Sequence, residues 1–162
     1  MLHLLILVLY CCTAFILQGA EKAPNIILIL ADDLGYNDLS CYGNLNYETP
    51  NIDQMASEGQ KWTEFYSASH ICSPSRAAIL TGLYPIRSGT SSHVFFEWSA
   101  QGLPETSHTI SKLLQNNGYK TFLVGKWHLG HRKGYLPKNH GFDDFYGLSL
   151  IHISEPTRLA TI

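Results

Sequence analysis

The chain carries no excess of charge of either sign: Lys and Arg number 11 against 13 Asp and Glu, a net charge of −2 over 162 residues. That excludes the basic footprint a nucleic-acid partner requires, and there is no acidic tail either. No Asn-x-Ser/Thr acceptor occurs, so glycosylation gives no sign for or against secretion. Lys and Arg are missing from Met1 to Ala20, where His3 is the only side chain able to carry a positive charge. What remains there is apolar, Leu4 to Leu9 and Ala14 to Leu17, ending in the small pair Gly19-Ala20. Residues 1–20 read as a secretory signal peptide, short for a membrane span. A retained signal anchor is the alternative, and the one case in which the chain would meet a membrane. Cysteine is scarce, with 4 in all, and Cys11 and Cys12 leave with the leader. Cys41 and Cys72 remain, and in a secreted chain such a pair would ordinarily suggest a disulfide. The rest is one domain at most, long enough to bury a core.

The stretch Cys-Ser-Pro-Ser-Arg-Ala-Ala-Ile-Leu-Thr-Gly, Cys72 to Gly82, carries the most chemistry. Ser73 is a good helix N-cap, Pro74 suits the first helical position, and Gly82 can close the helix in the left-handed region. Cys72 is then expected just outside a helix N-terminus, where backbone N–H groups and the macrodipole favour an anion. Arg76, one turn in, adds a planar fork of donors suited to an oxyanion. A cysteine held against a positive pole is a candidate nucleophile. Taken alone, a structural half-buried cysteine beside a capped helix is the commoner outcome.

Upstream, Ile26 to Ala31 is a β-branched-rich run with the pattern of a central parallel strand covered on both faces. It ends at Asp32-Asp33, and ligands of open α/β sheets sit beyond the carboxyl ends of strands. Two adjacent carboxylates repel unless a hard cation relieves them; the plain alternative is a polar strand end entering a turn. Asn37 and Asp38 have loop or supporting roles. Thr49 to Gly59 reads as a short helix packing Ile52, Met55 and Ala56. Trp62, Phe65 and Tyr66 mark an extended, core-facing segment leading to Cys72. Leu83 to Pro104 is a long loop able to shape a substrate mouth, and His93 within it has no partner at a meaningful spacing. Thr106 or Ser107 caps a helix through Asn117, ended by Gly118, and Tyr119 to Val124 is a second parallel strand. Lys126 and His128 follow, two apart, so in extended chain both face one side, away from Trp127.

Cys-x-Pro-Ser-Arg with the following Thr-Gly, at Cys72 to Gly82, resembles the signature of the type I sulfatases. Gly-Lys-Trp-His-Leu-Gly, at Gly125 to Gly130 after Gly118-Tyr119, resembles their second signature, and His140-Gly141-Phe142 a third, structural block. The likeness runs from about Pro24 to about Leu150. Gly102 to Pro104 looks closest to the arylsulfatase and steryl-sulfatase branch. The resemblance implies an α/β, alkaline-phosphatase-like sandwich with a mostly parallel central sheet, of which residues 21–148 would be the N-terminal part. Residues 149–162 have no family counterpart and read as adapter read-through or a wrong gene-model end.

For chemistry, the resemblance implies that a formylglycine-generating enzyme of the endoplasmic reticulum oxidises Cys72 to formylglycine, whose hydrate is the nucleophile toward a sulfate-ester substrate. Asp32 and Asp33 would give ligands to a calcium ion that also touches residue 72. Lys126 would contact the sulfate and the formylglycine, His128 would bond to the hydrated aldehyde, and Arg76 would help offset charge on the sulfate oxygens. Cys41 is then left as a buried thiol or as the partner of a cysteine outside the chain. The destination implied is the secretory pathway: lysosome, endoplasmic reticulum or extracellular space. Further ligands, and another His and Lys, come in the family from a later half that this sequence does not contain. The fragment is accordingly expected to bind calcium poorly and to lack useful turnover. A phosphatase or phosphonate hydrolase on the related fold, and a non-catalytic secreted binding protein derived from a sulfatase, are the alternatives. Metal-dependent phosphatases of that fold usually present Ser or Thr where Cys72 stands.

Overall fold

The computed structural model describes residues 23–91 and 94–148. The expected signal peptide at residues 1–20, His93 and the tail at 149–162 lie outside them. The chain divides into two units, residues 1–35 and 36–162. In the first, Ile26 to Leu30 forms no strand ladder, and Ile27 and Ile29 are 83% and 78% exposed. The expected central strand is therefore not formed among the described residues. β-branched side chains favour extended backbone, but a strand exists only where a neighbour takes its N–H and C=O groups. Asp33, after the run, adopts the left-handed region at φ 57°, which short polar side chains tolerate better than most.

The second unit opens with two 3₁₀ turns, Tyr36–Asp38 and Ser40–Tyr42, then α1 (Pro50–Glu58). Its bounds follow the sequence signals, Thr49 as N-cap, Pro50 first and Gly59 last. Its packing does not: Ile52 and Met55 are 43% and 64% exposed. Polar bonds anchor it instead. The Asp53 carboxylate accepts from Ser40 Oγ, from Cys41 N at 2.8 Å and from Thr49 Oγ1 at 3.0 Å. Those donors, Ser40 foremost, hold its pKa below the usual carboxylate range, while burial and then Asp53 push the Cys41 thiol up. Cys41 and Cys72 are both free thiols. Trp62, Phe65 and Tyr66 are 61%, 77% and 77% exposed and form no strand, contrary to the core role expected of them.

α2 (Cys72–Thr81) and the single-turn α3 (Pro85–Ser88) follow, each closed by a glycine in the left-handed region, Gly82 and Gly89. α4 (Ile110–Asn116) starts later than its sequence suggests, because Thr109 rather than Thr106 or Ser107 caps it, accepting from Lys112 N at 3.3 Å. β1 (Phe122–Lys126) and β2 (Asp144–Leu148) form a two-stranded parallel sheet, Phe122 opposite Asp144 and Gly125 opposite Gly147. A parallel strand here is as expected, a few residues later in the sequence than predicted, but its partner β2 was not predicted. Its register is set at the entry, where Thr121 N donates to Asp143 Oδ2 (2.9 Å) and Asp143 N to Thr121 O (2.9 Å).

The core gathers Ala77 from α2 with Phe95, Leu103, Trp127 and Leu129, and Leu80, Leu123, Phe142 and Phe145 pack against it. Thus one face of the sheet and one face of α2 meet over the segment after β1. The opposite face of the sheet shows Phe122, Val124 and Tyr146 at 63%, 77% and 67% exposure.

His140, fully buried, sits with its ring 5.4 Å from that of Trp127, and neither ring nitrogen finds a hydrogen-bond partner among the described residues. Burial first, and the Lys112 charge second, lower its pKa from 6.5 to about 4. The Glu105 charge and the Leu103 backbone pull the other way. Between these values the unfolded chain binds a proton that the folded chain refuses, so stability falls as pH drops from 6.5 toward 4. The expected loss is on the order of 3 kcal/mol. Denaturant unfolding at neutral pH and near pH 4.5, repeated on His140→Phe, should show the pH difference shrinking in the variant.

Candidate active site

The site grows from the meeting of the first turn of α2 with the chain leaving β1. The N-cap of α2 is Ile71, in extended conformation, so Cys72 is the first helical residue rather than the residue before the cap. Ser75 N closes the first helical bond onto Ile71 O at 3.2 Å. The amides of Cys72 and Ser73 therefore belong to the orphan donors of a helix start, and Pro74 removes one that would otherwise need a partner. Half-buried Cys72 stands at that positive end.

Ser73 is not the cap its residue type suggested. Wholly buried, its Oγ donates to His128 O at 2.6 Å and accepts from Phe95 N at 3.1 Å. One hydroxyl thereby ties the helix that begins at Cys72 to the strand exit and to the loop before Gly102. Arg76 does the same one turn on, Nη1 donating to Lys126 O at 2.5 Å. Lys126, last residue of β1, turns its ammonium toward the thiol, with Nζ 3.4 Å from Cys72 Sγ. A cation is thus placed against the atom read as nucleophile.

The expected strict alternation after β1 does not hold. His128 takes φ 57°, so the chain is not extended there, and Trp127 and His128 are both buried, 1% and 5% exposed. Trp127 is fixed by Nε1 donating to Tyr135 O at 2.8 Å. From the other side Leu103 N donates to Leu129 O at 2.8 Å, and a side chain at Gly102 would strike that same carbonyl. The segment 126–129 is therefore held by α2 on one flank and by Gly102-Leu103 on the other. Asp33 and His128 are the two non-glycine residues with positive φ among the described residues. Both had been singled out from sequence, and such conformations gather at functional sites.

Cys72, Arg76 and Lys126, with the backbone of His128, are thus brought into one neighbourhood. Ser73 and Phe95 were missed as members of it. Their signal was weak, since a serine beside a proline reads locally as a cap and a backbone N–H carries no sequence mark. Asp32 and Asp33 belong to the first unit, where both are exposed. Their oxygens suit a hard cation in kind, but among the described residues no group of three His, Cys, Asp or Glu gathers in a way that could hold a metal.

Ser73→Ala strips a partner from both His128 O and Phe95 N in the buried junction. It should lower stability by about 1–3 kcal/mol, read as a lower denaturation midpoint with an unchanged m-value.

Comparison with known proteins fits this arrangement. Residues 24–157 match the family model described as Sulfatase. The chain is 48% identical over 141 residues to the N-acetylgalactosamine-6-sulfatase of Rattus norvegicus, covering 83% of this chain and 27% of that protein. It is 50% identical over 147 residues to the steryl-sulfatase of Homo sapiens, covering 84% and 25% respectively. It also superposes on BT4656, solved in complex with its substrate D-glucosamine-2-N,6-O-disulfate, with a TM-score of 0.63 and 37% identity, over 76% of this chain and 23% of that one. The alkaline-phosphatase-like α/β fold expected from sequence is that of these structural neighbours. The chain spans about a quarter of the length of the curated relatives, 27% and 25%.

Proposed function

The chain belongs to the sulfatase family, and from that premise we propose that the junction around Cys72 is the nucleophile side of a site hydrolysing sulfate esters. The observation that carries this reading is the Lys126 ammonium 3.4 Å from Cys72 Sγ at the start of a helix. Two independent sources of positive character converge on one side chain, as an esterified sulfate with its anionic oxygens would require.

Cys72 is the residue to be oxidised to formylglycine by a formylglycine-generating enzyme. When present, the hydrated aldehyde supplies an oxygen nucleophile for sulfur and a second hydroxyl whose deprotonation allows sulfate to leave. Lys126 offsets the charge on the sulfate oxygens, and the α2 amides add their partial charge from below. Arg76, with Nη1 engaged by Lys126 O, fixes where that ammonium stands and adds its own charge. His128, on a backbone clamped by Ser73 and held at φ 57°, is the group to take the proton during release. Asp32 and Asp33, in the first unit, would hold part of a calcium ion.

Two carboxylates fall short of the about six to eight oxygens calcium takes. These 162 residues by themselves are therefore expected to bind calcium weakly and to turn over poorly. Tight binding in calorimetry of the isolated chain would contradict that expectation. The compartment proposed is the secretory pathway, in keeping with the leader.

The decisive experiment is mass spectrometry of the peptide containing residue 72, from material made in a secretory host. Loss of sulfur and gain of oxygen is expected. An intact thiol throughout would remove the nucleophile. Hydrolysis of an aryl phosphate in preference to the matching aryl sulfate, in the natural protein, would move the reading to a phosphatase.

A further inference from the structure

The loop read as a substrate mouth contains a feature the nucleophile chemistry does not use. Phe96 and Trp98 stack with ring centroids 4.8 Å apart and planes within 10°. Both are open to solvent, 41% and 75% exposed, where apolar rings gain little from each other's cover alone. The turn that presents them is closed at both ends: Phe96 N donates to Ser99 Oγ at 2.8 Å and Ser99 N to Phe96 O at 2.9 Å. The preceding residue, Phe95, is 4% exposed in the core and donates its N–H to Ser73 Oγ, one residue from Cys72. Summing the bonded and hydrogen-bonded steps puts the Cα atoms of Phe96 and Cys72 at most about 15 Å apart. A rigid, flat, apolar shelf therefore stands on the same hydroxyl that anchors the nucleophile's helix.

We propose that the Phe96–Trp98 pair is the subsite for the alcohol part of the ester, stacking a ring-bearing leaving group while the Cys72–Lys126 pocket takes the sulfate. This rests on the sulfate-ester reading above. The cluster at Cys72 is cationic and on that reading meets only the sulfate end, which every sulfate ester shares. Selectivity must come from the alcohol, and an exposed π-face recognises rings over flexible chains, because a planar ligand covers it without losing internal rotations. The shelf does no chemistry; it orients the substrate.

The test uses the natural protein with two probes, 4-nitrophenyl sulfate and a linear alkyl sulfate of similar size. Trp98→Ala should raise KM for the aryl ester roughly 3- to 10-fold with kcat nearly unchanged, and leave the alkyl ester unaffected. Trp98→Phe should restore most of the loss. Trp98 is exposed, so neither variant threatens the fold, and matching melting curves would verify that. An unchanged KM for the aryl ester, or equal losses on both esters, would overturn the shelf as a ring subsite. Absence of sulfatase turnover in the unsubstituted protein would instead sink the sulfate-ester reading on which it stands.

Discussion

Cys72→Ala should abolish sulfate-ester hydrolysis by the natural protein, with kcat falling roughly 10⁴- to 10⁶-fold, the range seen when a covalent nucleophile is deleted. The loss should be chemical and not structural. Cys72 is half-buried, and its described side-chain contact is with a lysine, not with the apolar core. Alanine keeps the helical geometry of the first turn and is the best helix former. Melting curves of the two proteins should nearly superimpose. Cys72→Ser separates the two halves of the chemistry. A serine oxygen at that position can attack sulfur, but the resulting ester lacks the second hydroxyl that would expel sulfate. The serine variant should therefore release about one equivalent of alcohol per protein and then stall. Steady turnover by the serine variant would show that the aldehyde hydrate is not required.

How much of this was readable in advance depends on whether local or distant partners decide each residue. The bounds of α1 were legible because Pro50 brings its own fixed φ to the first helical position and Gly59 follows the last helical residue, although the Thr49 side chain caps nothing and bonds Ser40 and Asp53 instead. The face it would bury was not, since Asp53 and its hydroxyl and amide donors hold the helix and its apolar side chains stay exposed. Gly82 ended α2 as expected, for a left-handed cap is a property of one residue. Ser73 misled because two long-range bonds, to residues 128 and 95, outcompete the cap it could make. Ile26 to Leu30 shows the same divide, with strand composition but no ladder among the described residues. β2 escaped notice because Asp-Phe-Tyr-Gly-Leu contains no β-branched residue, and its place is fixed by the Thr121–Asp143 bonds at its entry. At the site, the pairing of Cys72 with Lys126 was legible only through the two signatures. Spacing alone does not bring residues 54 positions apart to 3.4 Å. Extended-chain alternation put Lys126 and His128 on one side; the structure instead uses a left-handed residue at His128, a conformation histidine adopts more readily than most but which no pattern announces.

Lys126→Ala should lower kcat roughly 10²- to 10³-fold, the cost of removing one donor aimed at developing oxyanion charge. Its weight comes from its position. The ammonium sits against the sulfur of residue 72, half-buried, where water screens it less than at the surface. Arg76 holds the Lys126 carbonyl, so the backbone under the ammonium is fixed before substrate arrives. That division of labour separates the two cations experimentally. Lys126→Ala deletes charge at the reacting atoms and should act chiefly on kcat. Lys126→Arg keeps the charge but replaces a compact ammonium by a larger planar fork, and should recover only part of the loss. Arg76→Lys keeps a charge while losing the bond to Lys126 O, and should impair kcat less than Lys126→Ala but lower stability as well. A Lys126→Ala enzyme with unchanged kcat would mean that the 3.4 Å contact with Cys72 Sγ is a packing accident and not the electrostatic centre of the site.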